Sequence, residues 1–389
     1  MYAILNPIVI LLFAASQISL MECCDIYFEQ EVQSESQYLH SNIISEVLPG
    51  DDGNMFVADS WLSKVIVFDS TGAFVRQIGQ QGRGPGDFES VRALRIQGEN
   101  LYTLDTNLQR VTSFEATSGK VNETYLLPRM DNLRGRSGIF LDSDHLLINY
   151  SLPFRAGDLQ NERLGSFGVA NFRASGEIER VFERVYHDAM ILTFPEGGFA
   201  ATSKPYGKFY VTRTDSKGNF YWGYPDSFSI EKWDGDRLVK TFKRDYQPVK
   251  ITIQDIENYY FPQLGVENLD ELRERIRSGN VDEDFLRIAE RYIWVTTEEG
   301  EMPEYFPVYD WFTVCDNGYL WVALNTEDRE QYKILKIDSD GNKAGTGLLS
   351  KRVRFYNIED GLAYGTEEDP ETMEKSIVRY SILDEFSGQ

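Results

Sequence analysis

The 389-residue sequence is poor in the residues that carry most covalent and metal chemistry. It has 3 cysteines and 3 histidines. The cysteines form no C-x-x-C, which excludes a structural zinc ribbon or a thioredoxin-type motif. Cys23 and Cys24 are adjacent near the start, and Cys315 stands alone in the apolar run "FTVC", where a small core residue is expected rather than a nucleophile. His40, His145 and His187 form no H-x-H or H-E-x-x-H pair, so a histidine metal site is not expected. No G-x-S-x-G occurs, which removes the hydrolase nucleophile elbow. Basic charge is also short. With 39 Lys and Arg against 62 Asp and Glu, the net charge is −23, which argues against nucleic acid and against an anionic membrane surface as partners.

What the chain has is apolar and aromatic side chains. A hydrophobic content of 42% with 13% aromatic suffices for a full core and excludes global disorder. The abundant Tyr and Phe favour strands over helices. The run "MYAILNPIVILLFAASQISLMECC" carries no charge from Met1 to Met21, as in the apolar part of a signal peptide or a short anchor. It has no Lys or Arg at its start. Its "LMEC" resembles a lipoprotein box in which Glu22 replaces a small residue. Residues 1–24 are therefore expected to be a signal or anchor segment, placing the protein in the periplasm, cell envelope or extracellular space, with contact to membrane only through that anchor.

A short motif then repeats. A turn rich in Asp, Gly and Asn followed by an aromatic strand occurs as "DDGNMFVAD", "QGENLYTLD", "DSDHLLINY", "DSKGNFYWGY", "DNGYLWVAL" and "IEDGLAYGT". Most copies continue into a second strand and another turn closed by glycine, as in "VIVFDSTG" and "KILKIDSDG". Such residues supply positive φ between antiparallel strands, so each unit reads as a four-stranded meander. Units of this kind cannot bury their faces alone, and closing into a ring solves the problem. The last copy supplies three strands, and "DIYFEQEV", Asp25 to Val32, is expected to add the fourth. The fold class predicted is all-β: a six-bladed β-propeller over 25–389, monomeric, with a helical insertion at about 252–305 between blades four and five. In that insertion "NLDELRERIRSG" has Asn268 as N-cap, Gly279 as stop and Leu269, Leu272 and Ile276 at helical spacing. In "DEDFLRIAERYIW", Asp282 caps Phe285, Ile288, Ala289 and Tyr292. The pair either covers a site as a lid or plugs it.

The stretch "DGNMFVADSWLSKVIVFDSTGAFVRQIGQQGRGPGDF" resembles the NHL repeat. "SIEKWDGDRLVKTFKRDYQPVKIT" and "FPVYDWFTVCDNGYLWVAL" further resemble a bacterial family of exported six-bladed propellers. The resemblance implies that Asp59 and Asp105, at the ends of equivalent strands, tie down their own loops. It also decides how "GQQGRGPGDF" is read. A Walker loop needs Lys and Ser/Thr after its last glycine, but Asp87 and Phe88 follow Gly86, and an acid there opposes phosphate. The segment is expected to cross from one blade to the next, with Phe88 filling the gap.

Meander geometry assigns the faces. The turns joining first to second and third to fourth strands share the bottom rim. The loops between second and third strands, and the crossovers between blades, share the top, and loops on a rigid scaffold are where function concentrates. Among top-rim side chains, Trp61, Arg83, Arg110, Trp222, Tyr224 and Arg329 are the partner-binding candidates, because aromatics and Arg dominate recognition. Acids in "NTEDREQ" and "TEEDPETMEK" border them, which predicts a neutral or cationic partner, protein or glycan. His145 maps to the bottom, and His40 and His187 to separated blades. The expected function is a non-enzymatic binding module. The alternatives are a metal-dependent hydrolase, lactonase or lyase, with calcium in the central channel as the cofactor, or a structural envelope component.

Overall fold

The computed structural model describes residues 24–34, 39, 43–130, 133–150, 163–174, 178–187, 189–193, 199–279, 281–297, 302–315 and 317–385. The uncharged start and His40 lie outside them. Within them the repeat becomes six antiparallel four-stranded blades. Strands are designated A to D from the ring axis outward. Blade one comprises Ile44–Pro49, Met55–Asp59, Lys64–Phe68 and Phe74–Ile78. Blade two comprises Val91–Gln97, Asn100–Asp105, Arg110–Glu115 and Val121–Leu126. Ser137–Phe140, His145–Tyr150, Arg163–Asn171 and Ile178–His187 form blade three. Val211–Thr214, Phe220–Gly223, Ser229–Asp234 and Arg237–Lys243 form blade four. Blade five is Tyr309–Val314, Leu320–Leu324, Gln331–Ile337 and Lys343–Ser350. Blade six is Val353–Glu359, Leu362–Glu368, Lys375–Glu385 and, from the other end of the chain, Cys24–Gln33. Each A strand touches the A strands of both neighbours, and blade six touches blade one, so the ring is closed.

Closure works as the last repeat requires. Cys24–Gln33 pairs antiparallel with Lys375–Glu385, from Asp25 opposite Glu385 to Gln33 opposite Val378. Its other edge pairs in parallel with the D strand of blade five, Ile26 opposite Gly347. Gly347 allows this approach, since a Cβ there would lie 2.5 Å from the Ile26 carbonyl oxygen. Blades five and six thereby share one eight-stranded sheet.

The core is divided accordingly. One buried cluster lies between each pair of neighbouring blades. Between blades one and two, Phe88 is fully buried among Ala58, Val67, Ile78, Leu94 and Phe114, with its ring centroid 5.7 Å from that of Phe114. Burying such a ring contributes about 2–3 kcal/mol. The glycine-rich segment is the crossover that delivers it. Gly79 has φ +71, and a Cβ there would meet the Phe88 ring at 2.3 Å. Asp87 accepts from the Gly84 N–H at 3.0 Å, closing the loop on itself. At the bottom rim, Gly53, Gly218 and Gly341 take positive φ, and Asp69, Asp215 and Asp338 accept from the N–H groups of their own turns.

Two elements were not expected from the sequence. A hairpin, Ala189–Thr193 with Phe199–Ser203, precedes blade four. The insertion holds three helices, α1 (Ile253–Leu264), α2 (Leu269–Ser278) and α3 (Glu283–Thr296). The caps of α2 and α3 are Asn268 and Asp282, and Gly279 ends α2, as expected. Thr252 and Asp255 form a capping box for α1. The helices bury Ile256, Tyr260, Phe261, Leu272, Ala289 and Tyr292 against each other and against Val249 and Phe306, a core separate from those of the blades.

Candidate functional site

The first two blades use their polar residues to hold themselves together. Asp59 Oδ1 accepts from the N–H groups of Trp61 and Leu62 at 3.0 and 2.8 Å. Asp105 is 1% exposed and accepts four: Asn107 and Leu108 on Oδ1, Glu89 and Ser90 on Oδ2. Both carboxylates therefore tie loops. Both oxygens of Asp105 are satisfied by N–H groups, whereas Asp59 Oδ2 is buried without a hydrogen-bond partner. Among the described residues no three His, Cys, Asp or Glu side chains converge to hold an ion. Cys315 is 6% exposed at the end of an A strand, and burial pushes its thiol pKa up, as for a core residue. His145 sits in the bottom turn against Asp142, and the side chain of His187 lies outside the described set.

The six candidates have different fates. Trp61 is 68% exposed at the tip of its loop. Arg83 is exposed and ion-paired with Glu89. Arg110 donates to the carbonyls of Gly84 and Asp87 at 2.7 and 2.6 Å, strapping the crossover in place. Trp222 and Tyr224 are buried with Leu147, Phe167 and Phe220 between blades three and four, so neither offers a surface. Meander geometry assigned them to the top rim, but an inner strand is covered on both sides by neighbouring blades. Arg329 makes a two-point pair with Asp255, 2.8 and 3.1 Å, donates to the Lys250 carbonyl and lies over the Phe306 ring at 4.8 Å. It clamps the insertion to the rim. Burial works to raise the Asp255 pKa, but hydrogen bonds from Arg329 and Thr252 prevail and hold it below the usual carboxylate value.

Arg329 is also the one of the six candidates that borders the cleft beside the insertion. Two cavities of about 430 and 610 Å³ share Gly207, Phe209, Pro307, Asp310 and Lys351. Three successive crossovers wall this cleft: residues 204–210 before blade four, the insertion before blade five, and Ser350 to Val353 before blade six. Asp310 accepts from Asn325 Nδ2 at 2.7 Å and from the Tyr332 hydroxyl at 2.6 Å. Lys351 Nζ donates to Asn325 Oδ1 at 2.9 Å and lies 5.5 Å from the ring centroids of both Phe306 and Tyr332. Burial pushes the Lys351 pKa down, with Asp310 opposing. Arg352, Arg354 and Lys375 complete the axial end, beside Glu368. Below Arg354, the channel holds Arg213 and Glu46 on the A strands of blades four and one. Burial raises the Glu46 pKa to about 7, against the pull of Arg213 and Arg354.

The cleft could not be read from a motif. Lys351, Arg352 and Arg354 occupy "SKRVRF", which looks like an ordinary charged turn, and only the ring brings it beside residues 204–210.

Comparison with known proteins agrees with this architecture. Residues 35–147, from before blade one into blade three, match the model of a family described as a 6-bladed beta-propeller. A search of curated proteins gave no match. A member of the DUF4221 family from Bacteroides vulgatus superposes with a TM-score of 0.52 at 10% identity, over 94% of this chain and 100% of that one. A predicted exported protein of Bacteroides fragilis gives 0.49 at 14% identity, over 95% and 98%. A streptogramin B lyase gives 0.42 at 9%, over 93% and 99%. Closed ring, blade order and family match together define the class: a six-bladed β-propeller.

Proposed function

We propose that this propeller, NHL-like in its first two blades, is an exported binding module that takes its ligand in the cleft on the top face. The observation that carries this is the contrast in use of charge. On blades one and two the polar loop residues are consumed by backbone ties, whereas Lys351, Arg352 and Arg354 line an open cavity. Export is supported by the uncharged run from Met1 to Met21. The helical insertion supports the cleft as a wall, since it carries its own core and is clamped by Arg329. Trp61 and Arg83, exposed on the same rim, are included as outlying contacts for an extended ligand.

The test is a glycan array probed with the full chain, a Lys351→Ala/Arg354→Ala variant and a bottom-turn variant, Asp340→Ala. Binding retained by the bottom variant and lost in the cleft variant is expected. Equal loss in both, or no retained glycan at all, rejects the proposal.

A further inference from the structure

The cleft's charge runs against that of the whole molecule. In a chain of net charge −23, its axial end gathers Lys351, Arg352, Arg354 and Lys375 against only Asp310 and Glu368. Asp310 is already occupied by Asn325 and Tyr332. Among the described residues no carboxylate lies within ion-pair distance of Lys351, Arg352 or Arg354; the one aromatic neighbour of Arg354 is Tyr356, 5.4 Å from its guanidinium. Arg354 also stands close enough to Lys375 and Arg213 to disfavour the charge on each. The four cations outnumber the two carboxylates that line this end, and an anion placed among them offsets their mutual repulsion.

Resting on the cleft as the binding site, we infer that its ligand is an acidic saccharide whose carboxylate lies against Lys351, Arg352 and Arg354. Arg supplies paired donors that match a carboxylate, and Lys351 adds a half-buried ammonium. The remaining surface suits a sugar ring. Phe209, 46% exposed, and Tyr259, 38% exposed, present aromatic faces, and Asn258 offers an amide. The volumes fall in the range of small-ligand sites, about 300–1,000 Å³. Phosphate sites are commonly built from backbone N–H groups at helix starts. The start of α1 is instead closed by its capping box and Arg329. The border acids suggested a neutral or cationic partner, but the floor has the opposite sign, and the floor is where a small ligand is held.

Digalacturonic acid and its uncharged counterpart galabiose serve as probes, titrated calorimetrically into the full chain at two salt concentrations. The acid is expected to bind at least about tenfold tighter than the neutral sugar, more weakly as salt rises. Arg354→Ala and, separately, Arg352→Ala are expected to weaken it by about tenfold each while melting as the parent does, since both side chains are exposed. Galabiose binding as tightly, with loss in the cleft variants, overturns the acidic ligand but keeps the site. Acid binding unchanged by both variants and lost in Trp61→Ala overturns the site itself. Binding of neither sugar overturns the inference.

Discussion

Blades one and two and blades five and six are built from the same repeat, yet they treat charged side chains in opposite ways. In the first pair, Asp59, Asp105 and Arg110 each turn back onto a backbone loop. In the second, the equivalent rim is crowded by the insertion, and Lys351, Arg352 and Arg354 face a cavity. A regular blade needs its polar residues to satisfy N–H and C=O groups that the strands leave over. Where a neighbouring insertion encloses the rim, side chains become free to meet something else. On the proposed reading, the departures from the repeat mark the site, and the repeat itself marks the scaffold.

The largest effect expected is on closure. Deleting Asp25 to Val32 exposes edges of both blade five and blade six, because the strand pairs with each. The truncated chain should aggregate or melt well below the full-length protein, measured by light scattering and calorimetry. Melting at the full-length temperature would show that the ring is held by blade packing alone.

The comparison between halves is sharpened by two substitutions of similar size. Asp105→Ala strands four N–H groups, that of Ser90 buried and the others partly so, and should cost about 3 kcal/mol in denaturant unfolding. Arg354→Ala removes an exposed cation that disfavours the charge on two others and should change stability by less than about 0.5 kcal/mol, or raise it. Equal costs would mean that Arg354, too, is a structural tie.

Arg329→Ala lies between these extremes. It breaks the two-point pair with Asp255, whose side chain is 7% exposed, and should cost about 2 kcal/mol. Hydrogen exchange should quicken in α1 and leave the blades unchanged; uniform quickening would show that the insertion and ring unfold as one unit.

The smallest effect is a pH dependence. A Glu46 carboxyl raised to about 7 from 4.5 is protonated more readily in the folded state. Its contribution is therefore fully present below the unfolded value and is lost as pH rises through the folded one. Stability should fall between about pH 4.5 and 7, and Glu46→Gln should flatten that fall; an unchanged profile would place its source elsewhere.

The fold was largely legible because ring closure follows from local signals: Asp-Gly turns, short strands, and a final copy one strand short. Phe88, the ties made by Asp59 and Asp105, and the caps of α2 and α3 follow from the same kind of local chemistry. Helix α1 was harder to see because "IQDIENYYFPQL" contains Pro262 and an aromatic run that masks its helical stripe. The site was less legible still. Trp222 and Tyr224 belong to a strand whose burial is set by two other blades, and the cleft joins crossovers that lie far apart in sequence. Residue type alone does not say whether an arginine faces a loop carbonyl, as Arg110 does, or a cavity, as Arg354 does.

The strand Cys24–Gln33 has a further consequence, for the order of events in time. It leaves the ribosome before every blade, yet its partners, residues 343–350 and 375–385, follow the first four blades in the chain. Until then it has no sheet to join, and blade one has no sixth blade to lean on. The ring can therefore be completed only after nearly the whole chain is available, through contacts of very long sequence separation, which are slow to form. The ring stays an open arc at least until residues 375–385 are available to pair. A chain that must remain unclosed while in transit would gain from that timing.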